Sequence, residues 1–226
     1  MRLIHGDCLT HLRTLPPESI DAVITDPPYG IDYQSTMGNP IRPRFAKIAN
    51  DRAPFIWFLP ELYRVLKDDR CLLCFVRYDV EHDFRWAMRI AGFKDRAQVI
   101  WDKGSHGMGD CRGNFGYQHE NIIFATKGRF EFPGGRPKTI QRFPKVPSLH
   151  LRHPNEKPVD LMRSLIEAVT RPGQVVLDPF MGSAPVGVAA KALRRHYIGI
   201  EIDATYYKLA QSRLAANDNA PLSAAS

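Results

Sequence analysis

Cysteine is scarce in this sequence, and long apolar runs are absent. Four cysteines among 226 residues are too few for a small disulfide-stabilised scaffold. No stretch approaches the roughly 18 consecutive apolar residues that indicate a membrane-spanning helix. The first ten residues also lack the apolar core of a signal peptide. We therefore expect a cytoplasmic protein that has no membrane partner.

Compositional bias is also lacking: hydrophobic residues make up 44% and charged residues 24%, as in ordinary globular proteins. The net charge of +7 is a modest indication of an acidic partner. Most of it lies in residues 127–157, where eight basic residues face only Glu131 and Glu156, a local net of +6. The eight are Lys127, Arg129, Arg136, Lys138, Arg142, Lys145, Arg152 and Lys157.

Apolar runs of strand length alternate with helical patterns, which predicts a mostly parallel sheet covered on both faces. Two neighbouring strands, Ala97–Trp101 and Asn121–Ala125, have no helix between them and predict an antiparallel hairpin at one edge. The other predicted strands are Leu3–Ile4, Ala22–Thr25, Cys71–Val76, Val175–Leu177 and Tyr197–Ile200. The predicted helices are Cys8–Thr14, Pro54–Leu66, Val80–Ala91, Pro158–Thr170, Pro185–Leu193 and Ala204–Ala215.

Two long stretches do not fit this sheet and are predicted to be functional loops. Residues 32–52 are polar and carry Arg42, Arg44 and Lys47. Residues 130–158 are basic and hold six prolines. The sequence thus predicts one domain over residues 1–216, with a small insertion at 130–158 and a flexible tail at 217–226.

The motif Asp26-Pro27-Pro28-Tyr29 follows a predicted buried strand, at the end where open α/β sheets bind ligands. Two prolines fix the backbone and remove two N–H donors. A carboxylate, carbonyl acceptors and an aromatic face remain, which suit an exocyclic amino group on a flat base. A plain strand-terminating turn with an exposed tyrosine is the alternative, and the strand context favours function.

Residues 175–187 predict a strand, a tight loop of small residues and a helix start, so that a ligand can approach the backbone. Glu201 closes the next strand, where an acid can accept hydrogen bonds from two ribose hydroxyls. This pattern indicates a nucleoside cofactor, either a dinucleotide or S-adenosylmethionine. Ala184 and Pro185 follow Ser183, and alanine is tolerated there only if its φ is negative.

Three further sequence motifs each have a purely structural interpretation and a functional one. Lys157, in the motif HPNEKP, either binds a carboxylate or is a solvated lysine beside a helix. Asp7 caps a helix, and this role is compatible with a contact to adenine. The pair His119-Glu120 either forms a structural hydrogen-bonded pair or contacts substrate. Cys71 and Cys74 read as buried structural cysteines, and no histidine spacing indicates a metal site.

Together, these motifs resemble the DNA amino-methyltransferases, with DPPY ahead of the cofactor loop as in their circularly permuted beta class. The resemblance extends from Leu3 to about Leu214. It implies a class I, Rossmann-like methyltransferase fold with a mostly parallel seven-stranded sheet and an antiparallel edge hairpin. It also implies S-adenosylmethionine as cofactor, double-stranded DNA as partner, base flipping and a homodimer.

The resemblance implies a role for each matching residue. Asp26, Pro27, Pro28 and Tyr29 form the catalytic turn, in which Tyr29 stacks on the flipped base. The cofactor is held by Asp7, Cys8, Asp26, Asn155, Lys157, Asp178, Phe180, Gly182, Ser183, Glu201 and Ile202, with Asn155 and Lys157 on the methionine carboxylate. Arg42, Arg44, Lys47, Arg136, Lys138, Arg142 and Lys145 are the expected DNA-binding residues, and no metal is expected.

The chemistry favours nitrogen over carbon methylation, because no cysteine lies in the DPPY turn to act as a nucleophile. The initial Asp26, where the family's cytosine enzymes tend to have serine, favours adenine N6. Cytosine N4, RNA and protein amides remain alternative substrates. A catalytically weak DNA-binding module is suggested only by Ala184-Pro185, and a nicotinamide oxidoreductase leaves DPPY unexplained.

Overall fold

The computed structural model describes residues 1–30, 54–106, 112–147 and 156–216. In these residues, eight strands form one sheet. The strands are β1 Arg2–His5, β2 Ile20–Thr25, β3 Leu66–Val76, β4 Lys94–Asp102, β5 His119–Lys127, β6 Ile140–Arg142, β7 Val175–Asp178 and β8 His196–Glu201. The helices are α1 Cys8–Thr14, α2 Leu59–Val65, α3 Glu81–Ala91, α4 Val159–Val169, α5 Pro185–Ala192 and α6 Ala204–Ala216.

The strand order is β1-β8-β7-β2-β3-β5-β4-β6. Every pairing is parallel except the two made by β5, which runs antiparallel to β3 and β4. The predicted α/β fold and the predicted β4–β5 hairpin are therefore confirmed. All seven predicted strands are present, each extended by one to several residues at its ends.

Three details of the predicted fold are wrong. The sheet has an eighth strand, β6, which pairs in parallel with β4 through Ile100–Ile140 and Asp102–Arg142, so the hairpin is not at the edge. β6 was not predicted because it has only three residues, in a proline-rich and basic segment. The helix predicted to begin at Pro54 begins at Leu59 instead.

Helices cover both faces of the sheet and bury one core on each. The core on one face includes buried residues of α4, α5 and α6, and the core on the other includes residues of α1, α2 and α3. α4 shows why: Leu161, Met162, Leu165, Ile166 and Val169 are buried and form a single apolar stripe at helical spacing. No helix of the described residues is both long and apolar enough to cross a membrane.

The parallel strands bring four chain segments to one edge of the sheet. β1, β8, β7 and β2 are consecutive neighbours, and the register pairs His5 with Glu201 and Asp178 with Gly199. The residues that follow these strands therefore lie side by side. They include Asp7, Asp26 and the loop after Asp178, which are the segments singled out in the sequence.

The loop between β7 and α5 departs from expectation at Ala184. Its φ of 55° and ψ of 48° lie in the left-handed region, so the condition of a negative φ, set from the sequence for tolerating alanine, is not met. The loop turns sharply into α5, with the Ala184 N–H donating to the Met181 carbonyl at 2.7 Å. A left-handed alanine costs roughly 1–2 kcal/mol. Pro185 is the first residue of α5, where its missing N–H leaves no helical bond unmade.

Replacing Ala184 with glycine should therefore cost much less stability than the same change inside a helix. Relief of the left-handed strain offsets both the extra backbone entropy of glycine and the loss of the buried Ala184 methyl group, so the free energy of unfolding should change by less than about 1 kcal/mol. Urea unfolding measures this change. Ala189→Gly, in the buried interior of α5, is the control and should lose about 1 kcal/mol or more. Equal losses in both variants would contradict the strain at Ala184.

Candidate active site

A cavity of about 280 Å³ opens at the carboxyl ends of β1, β8, β7 and β2. Its wall includes all four residues of the predicted catalytic turn. It also includes ten of the predicted cofactor-binding residues, namely Asp7, Cys8, Asp26, Lys157, Asp178, Phe180, Gly182, Ser183, Glu201 and Ile202. Asn155 lies outside the described residues. The structure therefore brings together residues that the sequence placed in four separate motifs.

Asp26 is the centre of the DPPY turn, and both of its carboxylate oxygens have protein partners. The Tyr29 hydroxyl donates to Oδ1, and the Lys157 ammonium donates to Oδ2 at 2.7 Å. Tyr29 is partly buried and makes a T-shaped contact with the Phe84 ring, so the exposed tyrosine of the alternative interpretation, a plain strand-terminating turn, is wrong. Burial and the nearby Asp26 carboxylate raise the pKa of Tyr29 well above its usual value, which keeps the hydroxyl a donor.

Lys157 has partners that the sequence did not indicate. Its side chain is 7% exposed, and its Nζ contacts Asp26 Oδ2 at 2.7 Å and Glu120 Oε2 at 3.0 Å. The Phe75 ring lies below the ammonium, 5.1 Å from it. Burial by itself would lower the pKa of Lys157, but the two carboxylates outweigh it and raise the pKa. The interpretation of Lys157 as a solvated lysine beside a helix is therefore wrong, whereas its contact with a methionine carboxylate stays a prediction.

Asp178 and Glu201 add two further carboxyl groups to the cavity wall. Asp178 accepts the Phe180 N–H at 3.2 Å, and Glu201 accepts the N–H groups of Gly182 at 2.8 Å and Asp203 at 2.9 Å. Burial raises the pKa of Asp178 to about 8 and also raises the pKa of Glu201. Among the residues that the structure describes, neither carboxyl group forms an ion pair with a lysine or arginine, and two such desolvated groups favour a ligand that carries positive charge.

Part of the cavity wall is apolar, and the cysteine that lines it is chemically inert. Phe180 makes edge-on contacts with Phe58 and Phe55, at centroid distances of 4.9 and 5.9 Å. Burial raises the pKa of the Cys8 thiol to about 12, so this cysteine is not a thiolate nucleophile at neutral pH. Asp7 accepts the Thr10 N–H at 2.9 Å, which confirms the predicted helix cap while Asp7 also lines the cavity.

Sequence reasoning missed a clamp beneath the cofactor loop. Arg213 of α6 contacts Glu156 Oε1 at 2.6 Å, and both side chains are buried. The same guanidinium donates to the carbonyl and the hydroxyl of Ser183 at 3.1 Å. The clamp ties the loop after β7 to the segment before α4. No local pattern could have found it, because the partners are far apart in sequence.

The four described DNA-binding candidates of the basic insertion, Arg136, Lys138, Arg142 and Lys145, are exposed. Phe130, Phe132 and Phe143 anchor the insertion by packing against the core. Two of the eight counted basic residues do not belong to this surface: Lys127 is buried and donates to the Leu66 carbonyl at 2.9 Å, and Lys157 lines the cavity. Arg42, Arg44 and Lys47 lie outside the described residues, as does the tail at 217–226.

Cys71 and Cys74 are buried and unpaired, as the structural interpretation predicted. Within the ranges that the structure describes, no group of three or more histidine, cysteine, aspartate or glutamate side chains is placed to hold a metal. His119 pairs with Asp102 in the β4–β5 ladder, whereas Glu120 contacts Lys157.

The chain matches the model of the DNA methylase family N6_N4_Mtase over residues 20–212. It is 34% identical to YubD of Escherichia coli (strain K12), a methylase by its description, over 95% of this chain and 90% of YubD. The structure of M1.HpyAVI in complex with SAM matches with a TM-score of 0.72 at 23% identity, over 94% of this chain and 99% of that one. The cytosine-N4-specific PvuII DNA methyltransferase matches with a TM-score of 0.74 at 18% identity, over 99% and 87%. The last two likenesses show a common fold.

The raised pKa of Asp178 predicts how stability depends on pH. Asp178 keeps its proton in the folded state up to about pH 8 but loses it near about pH 3.9 in the unfolded chain. The unfolded state therefore binds fewer protons between these values, so this group lowers stability as pH rises from about 4 to about 8. Asp178→Asn should raise the free energy of unfolding at pH 7 by about 2 kcal/mol or more and flatten this slope.

Chemical unfolding of the cofactor-free protein across this pH range measures the effect. Asp160→Asn is the control, because the Asp160 side chain is 74% exposed and should leave the slope unchanged. A variant at position 178 with the slope of the parent would show that Asp178 titrates normally.

Proposed function

The chain belongs to the N6_N4 DNA methylase family, and from that premise we propose that it methylates adenine N6 in double-stranded DNA, using S-adenosylmethionine. One observation carries the proposal: the Asp26 carboxylate stands at the carboxyl end of β2, in the same cavity as Asp178 and Glu201. One cavity thus contains both an acceptor for a base amino group and carboxyl groups that suit a cationic nucleoside.

The polar and charged groups of the cavity suit S-adenosylmethionine. Glu201 is held in place by two backbone N–H groups, and a carboxylate has further lone pairs for two ribose hydroxyls. Asp178 and Glu201 have raised pKa values because of burial, and a positively charged ligand would relieve that cost. We assign the methionine carboxylate to Asn155 and Lys157, and the adenine to Asp7, Cys8 and Ile202. Phe180, Gly182 and Ser183 lie along the cofactor.

Asp26 would act on the amino nitrogen of the target base. That nitrogen is a poor nucleophile, because its lone pair is delocalised into the ring. Hydrogen bonds from its two N–H groups to the Asp26 carboxylate and the Pro27 carbonyl would favour tetrahedral geometry and free the lone pair. The Pro28 carbonyl already accepts the Phe55 N–H at 3.2 Å, which fixes the turn. S-adenosylmethionine supplies an electrophilic methyl group on a sulfonium centre.

Adenine is the favoured base because the motif begins with Asp26. Cytosine N4 is the second candidate, and the likeness to the cytosine-N4-specific PvuII methyltransferase supports it. In either case the base must leave the duplex to reach a cavity at the sheet edge. The Tyr29 ring lines that cavity, where it can contact a flipped base.

DNA would bind across the basic insertion at residues 130–158, within a single domain spanning residues 1–216. β6 is parallel to β4, so Arg142 and Lys145 lie toward the edge of the sheet that carries Asp26. Arg136 and Lys138 precede β6 and lie further from that edge. An insertion this short leaves part of the recognition to the loop with Arg42, Arg44 and Lys47, or to a second subunit of a homodimer.

Methylation of plasmid DNA followed by nucleoside mass spectrometry tests the function. The wild-type protein should yield N6-methyladenine, and Asp26→Ala should yield none while its Kd for S-adenosylmethionine stays within about threefold. Glu201→Gln is the matched variant and should raise that Kd. N4-methylcytosine would establish the second candidate, and near-normal turnover by Asp26→Ala would remove Asp26 from the mechanism.

The salt dependence of DNA binding tests the basic insertion. Each lost phosphate contact should reduce the log–log salt slope by roughly 0.9. Replacing Arg136, Lys138, Arg142 and Lys145 with alanine should lower the slope and leave cofactor affinity unchanged. The pair Arg142 and Lys145 should account for more of the loss than the pair Arg136 and Lys138. An unchanged slope in the quadruple variant would show that the insertion does not contact DNA.

A further inference from the structure

We propose that Glu120 and Lys103 are positioning residues for methyl transfer, which act through Lys157 to orient the Asp26 carboxylate. The inference rests on the role proposed for Asp26 and extends it to one side chain of β5 and one just after β4. Neither side chain lines the cavity or reaches the expected place of the base. Their effect on the reaction would be indirect.

Four side chains of alternating charge form a continuous chain of contacts. Lys103 Nζ lies 2.7 Å from Glu120 Oε1, and Glu120 Oε2 lies 3.0 Å from Lys157 Nζ. Lys157 then contacts Asp26 Oδ2 at 2.7 Å. Each carboxylate thus has an ammonium on at least one side, and Lys157 is shared by two carboxylates.

The strand register fixes the outer members of this series of contacts, Glu120 and Lys103. Glu120 of β5 pairs with Trp101 of β4, and the Lys103 N–H donates to the Gln118 carbonyl at 2.9 Å just beyond β4. The Lys103 ammonium lies 5.1 Å from the Trp101 ring, which is buried. Glu120 is therefore held by backbone pairing and by an ion pair. It provides a rigid anchor for the more deeply buried Lys157.

Sharing Lys157 has two consequences for Asp26. With Glu120 present, the lysine charge is divided between two carboxylates, so Asp26 keeps more of its strength as a hydrogen-bond acceptor. The opposing contacts from Tyr29 and Lys157 also fix both Asp26 oxygens, so the carboxylate cannot rotate away from the amino group. Opposite charges outweigh burial for both partners: the pKa of Glu120 is lowered and that of Lys157 is raised.

Glu120→Gln tests the inference, because it keeps the shape of the side chain and removes its charge. We expect kcat to fall by about 10- to 100-fold, the scale of a misplaced reacting group, with Kd for S-adenosylmethionine within about twofold. Glu120→Asp should recover part of kcat. Glu18→Gln, which alters a carboxylate that is 60% exposed and paired with Lys127, is the matched control and should leave kcat unchanged.

Two further measurements separate positioning from a purely structural role. NMR titration of the Lys157 side chain should show a lower pKa in Glu120→Gln than in the wild type, whether or not methyl transfer is measured. Lys103→Met should reduce kcat by less, and its effect should not add to that of Glu120→Gln. Lys103 is at the outer end of the chain of contacts, so this variant serves if Glu120→Gln does not fold.

The outcomes distinguish this inference from the function on which it rests. If Asp26→Ala retains turnover, the proposed mechanism fails and the inference fails with it. If Asp26→Ala is inactive but Glu120→Gln keeps kcat within about twofold of the wild type, only the inference is overturned. A Glu120→Gln variant that loses cofactor affinity but not kcat would show that Glu120 supports only the cofactor contact of Lys157 and would also overturn the inference, as would an unchanged Lys157 titration.

Discussion

Parallel pairing of four adjacent strands is the constraint on which the site depends. β1, β8, β7 and β2 run in the same direction, so their carboxyl ends share one edge and the segments that follow them share one cavity. β2 is buried along its whole length, and its exit places Asp26 between the loops of its neighbours. A change of direction in any of these strands would carry its loop to the opposite edge and dismantle the site.

The sequence predicted the features that depend on local and periodic patterns, namely the helices, the strands and the residues at strand ends. Apolar runs located seven strands and six helices, and residues directly after strands located Asp26, Asp178 and Glu201. It could not predict contacts between distant segments: Glu120 reaches Asp26 only through Lys157, and Arg213 reaches Ser183 only because α6 packs beside the loop. β6 was missed because its three residues pair with β4 without any apolar pattern of their own. The left-handed Ala184 was missed because alanine does not signal a turn.

Charge is arranged differently on the two sides of the cavity. On the side of Asp26, burial is compensated by opposite charges, and Lys157 remains an ammonium between carboxylates. On the side of Asp178 and Glu201, burial is not compensated in this way, and both pKa values are raised. The charge of Asp26 is therefore balanced within the protein, whereas a bound cation would offset the cost of burying Asp178 and Glu201. Such local destabilisation is common where a protein prepares a binding site.

The basic insertion also covers part of an outer strand of the sheet. Without β6, the backbone groups of Ile100–Asp102 in β4 would be unpaired on that side, and such groups are a surface on which other chains can add strands. The short β6 pairs with these three residues, and the Trp101 indole N–H donates to the Phe143 carbonyl at 2.8 Å. Pro144 and Pro147 follow β6 and cannot extend the ladder further. Trimming the segment that carries the basic residues, to obtain a smaller core, would therefore expose this part of β4 to pairing with another chain.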